Sequence, residues 1–184
     1  MFLNTAASND GHIVLQRALA NKYQITAKTD NSYSIYSYPA SGEVFNINSS
    51  GHVTTSKQPS FGAYNATGNN GADITFANTF FNIGNHFVAS TGIFTAPISG
   101  RYLFTWNALH GQSPTSYARV LFKINGSTST LYGDSLTSDG NGIYVKTSID
   151  GIFNLSANDT VRLYNEGNTI YGVQYNMFSG CLLG

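Results

Sequence analysis

The feature that most limits what this chain can fold into is the end-to-end recurrence of short strand-forming runs cut off by turn-forming residues. Residues 23–27 alternate apolar and polar side chains and stop at Asp30-Asn31. Residues 33–38 stop at Pro39, and residues 44–48 at Ser49-Ser50-Gly51. Residues 12–16 and 52–55 are shorter runs of the same kind. Beyond residue 90 the runs lengthen and become more aromatic, at 93–98, 102–106, 120–124, 142–149, 152–155, 160–164, 171–175 and 177–183. A period of two sends alternate side chains to opposite faces, so Tyr102, Phe104 and Trp106 share one face of a strand. Asn125-Gly126 and Asp150-Gly151 read as two-residue hairpin turns. No stretch combines a helical period with caps at both ends; the best case, residues 15–22, is short and runs into an alternating pattern. The expected class is all-β, with antiparallel strands spaced as in a sandwich or jelly roll.

Charge narrows the partners. Charged residues make up 10% of the chain, against about 25% in an average globular protein. Nine basic and nine acidic residues leave no net charge, and no run of Lys or Arg occurs. A nucleic-acid ligand is therefore not expected, because such binding displaces counterions with clustered positive charge. No apolar run reaches the ~20 residues of a membrane span, so membrane insertion is not expected. The first ten residues lack a basic stretch followed by an apolar one, so no secretory signal is read there, and the lone Cys181 leaves no internal disulfide. Synthesis in a reducing cytoplasm is the expectation.

Residues 64–73 hold few large apolar groups and read as a loop or hinge. The boundary placed there gives a β-rich segment at 1–65 and a larger domain at 74–184. Some sixty residues in short strands are marginal for an independent core, so the first segment is expected to need help from identical copies.

The spacing Phe76, Asn82, Phe87, Phe94, Gly100, Tyr102, Phe104 resembles the signature of complement 1q globular heads, with Trp106 where the family usually has Phe or Tyr. Residues 121–126, 155–161 and 178–183 resemble later parts of the same pattern, so the resemblance spans about 74–184. It implies a ten-strand-type jelly-roll head, shared with tumour necrosis factor, in a non-enzymatic homotrimer. Residues 20–25 and 44–53 resemble repeats of tail-fibre and other fibrous virion proteins of bacterial viruses. This implies a virion structural protein, attached to other virion proteins through residues 1–65, whose head binds a host-surface glycan or protein. Capsid decoration without a receptor role stays open, as does a bacterial surface head of the spore-coat kind, although the collagen-like repeats usual there are missing.

Twelve Phe, twelve Tyr and one Trp exceed what one small sandwich hides comfortably. The candidates for trimer interface or core are Phe80, Phe81, Tyr102, Phe104, Tyr175 and Phe178. Ligand-binding residues are expected in three loops at 110–117, 127–141 and 165–169, through His110, Tyr117, Tyr132, Asp134, Asp139, Asn165 and Asn168, because Tyr, Asn, Ser and Gly suit adaptable recognition. No catalytic residue is expected. The chain has neither a Gly-x-Ser-x-Gly elbow nor diagnostically paired carboxylates, its Glu residues being Glu43 and Glu166 alone. His12, His52, His86 and His110 lack metal-ligand spacing, and no cofactor is expected. Calcium, which some heads of this family hold, would draw on Asp134, Asp139 and Asp150; turn formation accounts for the same residues. Cys181 reads as a small buried residue of the last strand.

Overall fold

The computed structural model describes residues 9–111, 117–135, 144–171 and 174–184, excepting the side chains of 129–135. The chain divides into two compact units at Gln58/Pro59.

The first unit is a five-strand antiparallel meander: β1 (Gly11–Arg17), β2 (Ala20–Ala27), β3 (Tyr33–Ser37), β4 (Gly42–Ile47) and β5 (Val53–Thr54), paired in that order. The short helix candidate at 15–22 is the β1–β2 hairpin instead. Ala18 and Leu19 turn the chain with φ of 51° and 63°, the left-handed pair that a tight hairpin requires. Register makes the two faces of this sheet chemically different. His12, Thr26, Ser34, Asn46 and Thr54 form one unbroken row across all five strands. One residue further along each strand, on the other face, Ile13, Ile25, Ile35 and Phe45 form another.

The second unit is a two-sheet sandwich. Its strands are β6 (Ser60–Thr67), β7 (Ala72–Asp73), β8 (Thr75–Ile83), β9 (Phe87–Val88), β10 (Ile93–Thr95), β11 (Gly100–His110), β12 (Ala118–Ile124), β13 (Ser127–Ser135), β14 (Val145–Leu155), β15 (Thr160–Asn165) and β16 (Asn176–Leu182). One sheet runs β14-β11-β16-β6-β8; the other runs β13-β12-β15-β10-β9, with β7 also on β15. This unit begins earlier than position 74: β6, which runs into the expected hinge at 64–73, pairs with β16 and β8, and β7 takes up the end of that hinge.

Between the sheets lies an aromatic core. Tyr102, Phe104 and Trp106 all point inward from β11, as the alternation predicts, and all are fully buried. Phe61 stacks on Phe87 with centroids 4.1 Å apart and meets Phe94, Phe104 and Phe178 within 6.3 Å. Each buried ring removes about 150–250 Å² from water. The polar member of the signature, Asn82, accepts from the Phe87 N–H and donates to its carbonyl, closing the β8–β9 turn.

Three local expectations change. Asn125-Gly126 is a two-residue turn with φ of 51° and 83°, but Asp150-Gly151 is not a turn. There β14 runs straight through, opposite β11 over its whole length, with Asp150 facing Thr105 and Gly151 facing Phe104. Gly151 supplies room: a Cβ would sit 2.8 Å from Phe153 and 3.2 Å from Phe122. The first part of the expected 127–141 loop is strand β13, paired to β12. Finally, the expected 171–175 strand is irregular at Tyr171 and at Gln174–Tyr175.

Candidate functional site

The end of the sandwich where β11 and β15 finish gathers most of the polar residues singled out in the sequence. His110 closes β11 and is fully buried. Its Nδ1 lies 2.8 Å from the Asn168 carbonyl and its Nε2 2.9 Å from Thr147 Oγ1. A carbonyl only accepts, so Nδ1 carries the proton and Nε2 accepts from the Thr147 hydroxyl. Trp106 Nε1 in turn donates to Thr147 Oγ1 at 3.3 Å. The order Trp106, Thr147, His110, Asn168 is thus a directed chain that fits neutral imidazole. Burial pushes the His110 pKa below the usual range, and the bond to the Asn168 carbonyl opposes this in part.

Asn165, also fully buried, donates to the carbonyls of Gly68 (2.9 Å) and Asn168 (3.0 Å) and accepts from the Gly167 N–H. Asn168 donates from its backbone to the Tyr117 carbonyl at 3.0 Å. His110 and Asn165 therefore cannot touch a ligand; they fix the backbone of the 165–170 loop from beneath. Tyr117 is exposed, with the Arg119 guanidinium 5.0 Å from its ring centroid, and Asn168 is half-buried. Tyr132 and Asp134 lie on β13, facing Leu121 and Arg119 in register, with side chains outside the described residues, as is Asp139 altogether. Asp150 lies on a strand rather than in a loop, which removes it from a calcium-binding loop. Among the described residues no group of three His, Cys, Asp or Glu could hold a metal ion.

The outer faces of the two sheets differ in the large apolar side chains that they expose. The outer face of the β13-β12-β15-β10-β9 sheet carries a charged cluster beside Leu121, Tyr164 and Val88: Asp73 bridges Lys123 (2.7 Å) and Arg162 (2.9 Å), which would otherwise repel as cross-strand neighbours. Lys123 also lies 3.8 Å from the Tyr164 ring centroid. The outer face of the β14-β11-β16-β6-β8 sheet is mixed: β14 presents Lys146, Ser148, Asp150 and Asn154 on it and β11 adds Arg101, Thr105 and Asn107, but it also exposes large apolar side chains. Phe80, Phe81, Ile152 and Tyr175 are 63%, 47%, 61% and 56% exposed there. Two shallow grooves mark it. One, of about 400 Å³, lies between Phe80, Leu109, Lys146, Tyr175 and Met177. The other, of about 210 Å³, lies between Phe81, Leu103 and Cys181. A Thr105–Ser179 hydroxyl pair at 2.8 Å lines the second groove.

The six aromatic candidates therefore divide. Tyr102, Phe104 and Phe178 are spent in the chain's own core, where no neighbour can reach them. Phe80, Phe81 and Tyr175 lie on the outer face of the β14-β11-β16-β6-β8 sheet. Strict alternation would separate Phe80 from Phe81. A register shift between Gly62 and Ala63 inserts Phe80 as an extra residue, so Phe81 lies over Gly62 while Phe80 stacks on Tyr64 at 4.3 Å. Cys181 faces outward, half-buried, rather than into the core. The sequence reading missed Tyr144 and Tyr171, whose rings meet at 4.3 Å beside Tyr175. A mutual hydrogen bond raises the Tyr144 pKa. Nothing in the local pattern joins residues 144 and 171; only β14 and β16 flanking β11 does so.

A family model described as the C1q domain matches residues 60–183. Among solved structures, the globular domain of zebrafish complement 1qA is similar at 18% identity, over 69% of this chain and 98% of that one, with a TM-score of 0.57. Murine APRIL is similar at 13% identity, over 69% and 100%, with a TM-score of 0.52.

Proposed function

This chain belongs to the C1q domain family, whose members are non-enzymatic, and on that premise we propose that it is a homotrimeric virion structural protein of a bacterial virus, with a head that binds host-surface glycan. The head is a C1q and tumour-necrosis-factor-like jelly roll, a fold typical of trimeric binding modules. The observation that carries the trimer is the cluster of large apolar side chains exposed on one outer face. A face presenting Phe80, Phe81, Ile152 and Tyr175 is at home against another protein. Three copies around an axis cover each such face once and leave no open edge for further growth.

With that face covered, recognition falls to the loop end. Exposed Tyr117 and half-buried Asn168 stand there on a scaffold fixed by His110 and Asn165, and rigid rings beside hydrogen-bonding amides suit a polyol ligand. The fibre-like wording of residues 20–25 and 44–53 supports the virion setting, with the N-terminal unit, residues 1–58, joining the particle and synthesis in the host cytoplasm. The test is a glycan array probed with the intact chain and with Tyr117→Ala. The proposal expects a discrete set of host-surface saccharides bound by the first and lost or weakened tenfold or more in the second. An empty array together with no binding to any candidate host cell would overturn the receptor role.

A further inference from the structure

The N-terminal unit poses a packing problem that its described residues do not solve. Its described residues form a single five-strand sheet, with no second layer among them. A sheet with one apolar face must lay that face against something to hold its shape in water. Here one face is apolar from edge to edge. Ile13, Ile25, Ile35 and Phe45 form one cross-strand row. Ala27, Tyr33, Ile47 and Val53 form the next. Neither row contains a charged residue. Four members of this face, Ile13, Leu15, Tyr23 and Val53, are 45%, 47%, 45% and 57% exposed. A shallow groove of about 160 Å³ runs between Ile13, Ile25 and Tyr33. The opposite face has no such need. Tyr38 donates to Gln24, Gln24 donates to Thr26, and Lys28 pairs with Glu43, so polar side chains roof that side.

We infer that the apolar face of the N-terminal sheet is an assembly surface whose occupant is the same face of two further copies of this chain, three sheets enclosing a dry interior. The inference rests on the trimeric reading of the head. Three facts select this occupant. The surface it must match is uncharged and of its own size, which every other copy carries. Residues 55–59 link each sheet to its head, so a head trimer tethers three such sheets to one another. The face is also small: five strands ~4.8 Å apart and runs of about five residues at ~3.3 Å give on the order of 20 Å by 17 Å. That is little for an independent specific contact. Tethered copies meet at effective concentrations in the millimolar range, where a modest face suffices.

The test places a photoreactive benzoylphenylalanine at Phe45, on the apolar face, and separately at Tyr36, on the polar face, in the full-length chain. Irradiation of the Phe45 probe is expected to give covalent dimers and trimers on a denaturing gel. Mass spectrometry of the adducts should map them to residues 11–54 of another copy, while the Tyr36 probe stays at single-chain mass. Adducts confined to the same chain's residues 59–184, or no adduct, would overturn the inference. The native mass of the unirradiated protein separates the two levels. A trimer without Phe45 cross-links sinks this inference and leaves the trimeric head standing; a monomer sinks the trimeric reading itself.

Discussion

Phe61 and Phe81 lie twenty positions apart on neighbouring strands, and the structure gives them opposite jobs. Phe61 has no exposed surface and touches four other rings. Its replacement by Ala removes a full ring and leaves a cavity that a two-layer aromatic core cannot close. Such changes cost about 3–5 kcal/mol, out of roughly 5–15 kcal/mol of total stability in a domain of this kind. Phe81 is 47% exposed and packs over Gly62 on the outer face. Within one chain, Phe81→Lys should cost no more than about 0.5 kcal/mol, the usual scale for surface changes. In a trimer it sets three charges into an apolar contact. Urea unfolding at two widely separated protein concentrations distinguishes the two. Phe61→Ala should lower the midpoint at both concentrations. Phe81→Lys should abolish the rise of midpoint with concentration that assembly confers. A Phe81→Lys protein with the parent's concentration dependence would refute the assignment of that face, and a harmless Phe61→Ala would refute the core.

Gly180 packs beneath Phe104 and Phe61, and a Cβ there would meet both rings at 2.6–2.7 Å; Gly180→Ala should cost about 1–3 kcal/mol, read as a fall of several degrees in Tm by calorimetry. His110 has a lowered pKa, so the unfolded chain binds a proton that the folded chain refuses. Stability should be whole above the unfolded value of about 6.5 and decline as pH falls from there towards the folded value. Urea midpoints across that range should show this slope in the parent and lose it in His110→Gln, and an unchanged slope would contradict the neutral, buried imidazole. Leu19 holds a φ of 63° at the β1–β2 turn and is 94% exposed. Leu19→Gly should protect the amides of β1 and β2 against hydrogen exchange by roughly 1 kcal/mol, since a left-handed conformation costs an ordinary residue about that much.

Much of the head was legible because its strands obey period two and its turns use the expected residues. Tyr102, Phe104 and Trp106 face inward together for that reason, and Asn125-Gly126 turns where a Gly can take positive φ. The errors have a common source in long-range pairing. Asp150-Gly151 carries a turn signal, yet an eleven-residue partner strand, β11, holds it straight and uses the missing Cβ as space for Phe153. Phe80 and Phe81 share a face because of a bulge that no local pattern announces. His110 and Asn165 have the side chains of a recognition loop but are buried, and their partners at Thr147, Asn168 and Gly68 lie far along the chain. Which aromatic residues form core and which form surface likewise depended on sheet order, since both kinds of strand alternate equally well.

The account depends above all on the exposed apolar cluster of Phe80, Phe81, Ile152 and Tyr175 being covered by copies of the same chain. Sedimentation equilibrium at low micromolar concentration measures this without labels or ligands. The parent protein should show three times the 19.8 kDa chain mass, and a variant carrying Phe81→Lys and Ile152→Asp should show one, with its β-sheet circular dichroism intact. A parent that sediments as a single folded chain would contradict the account.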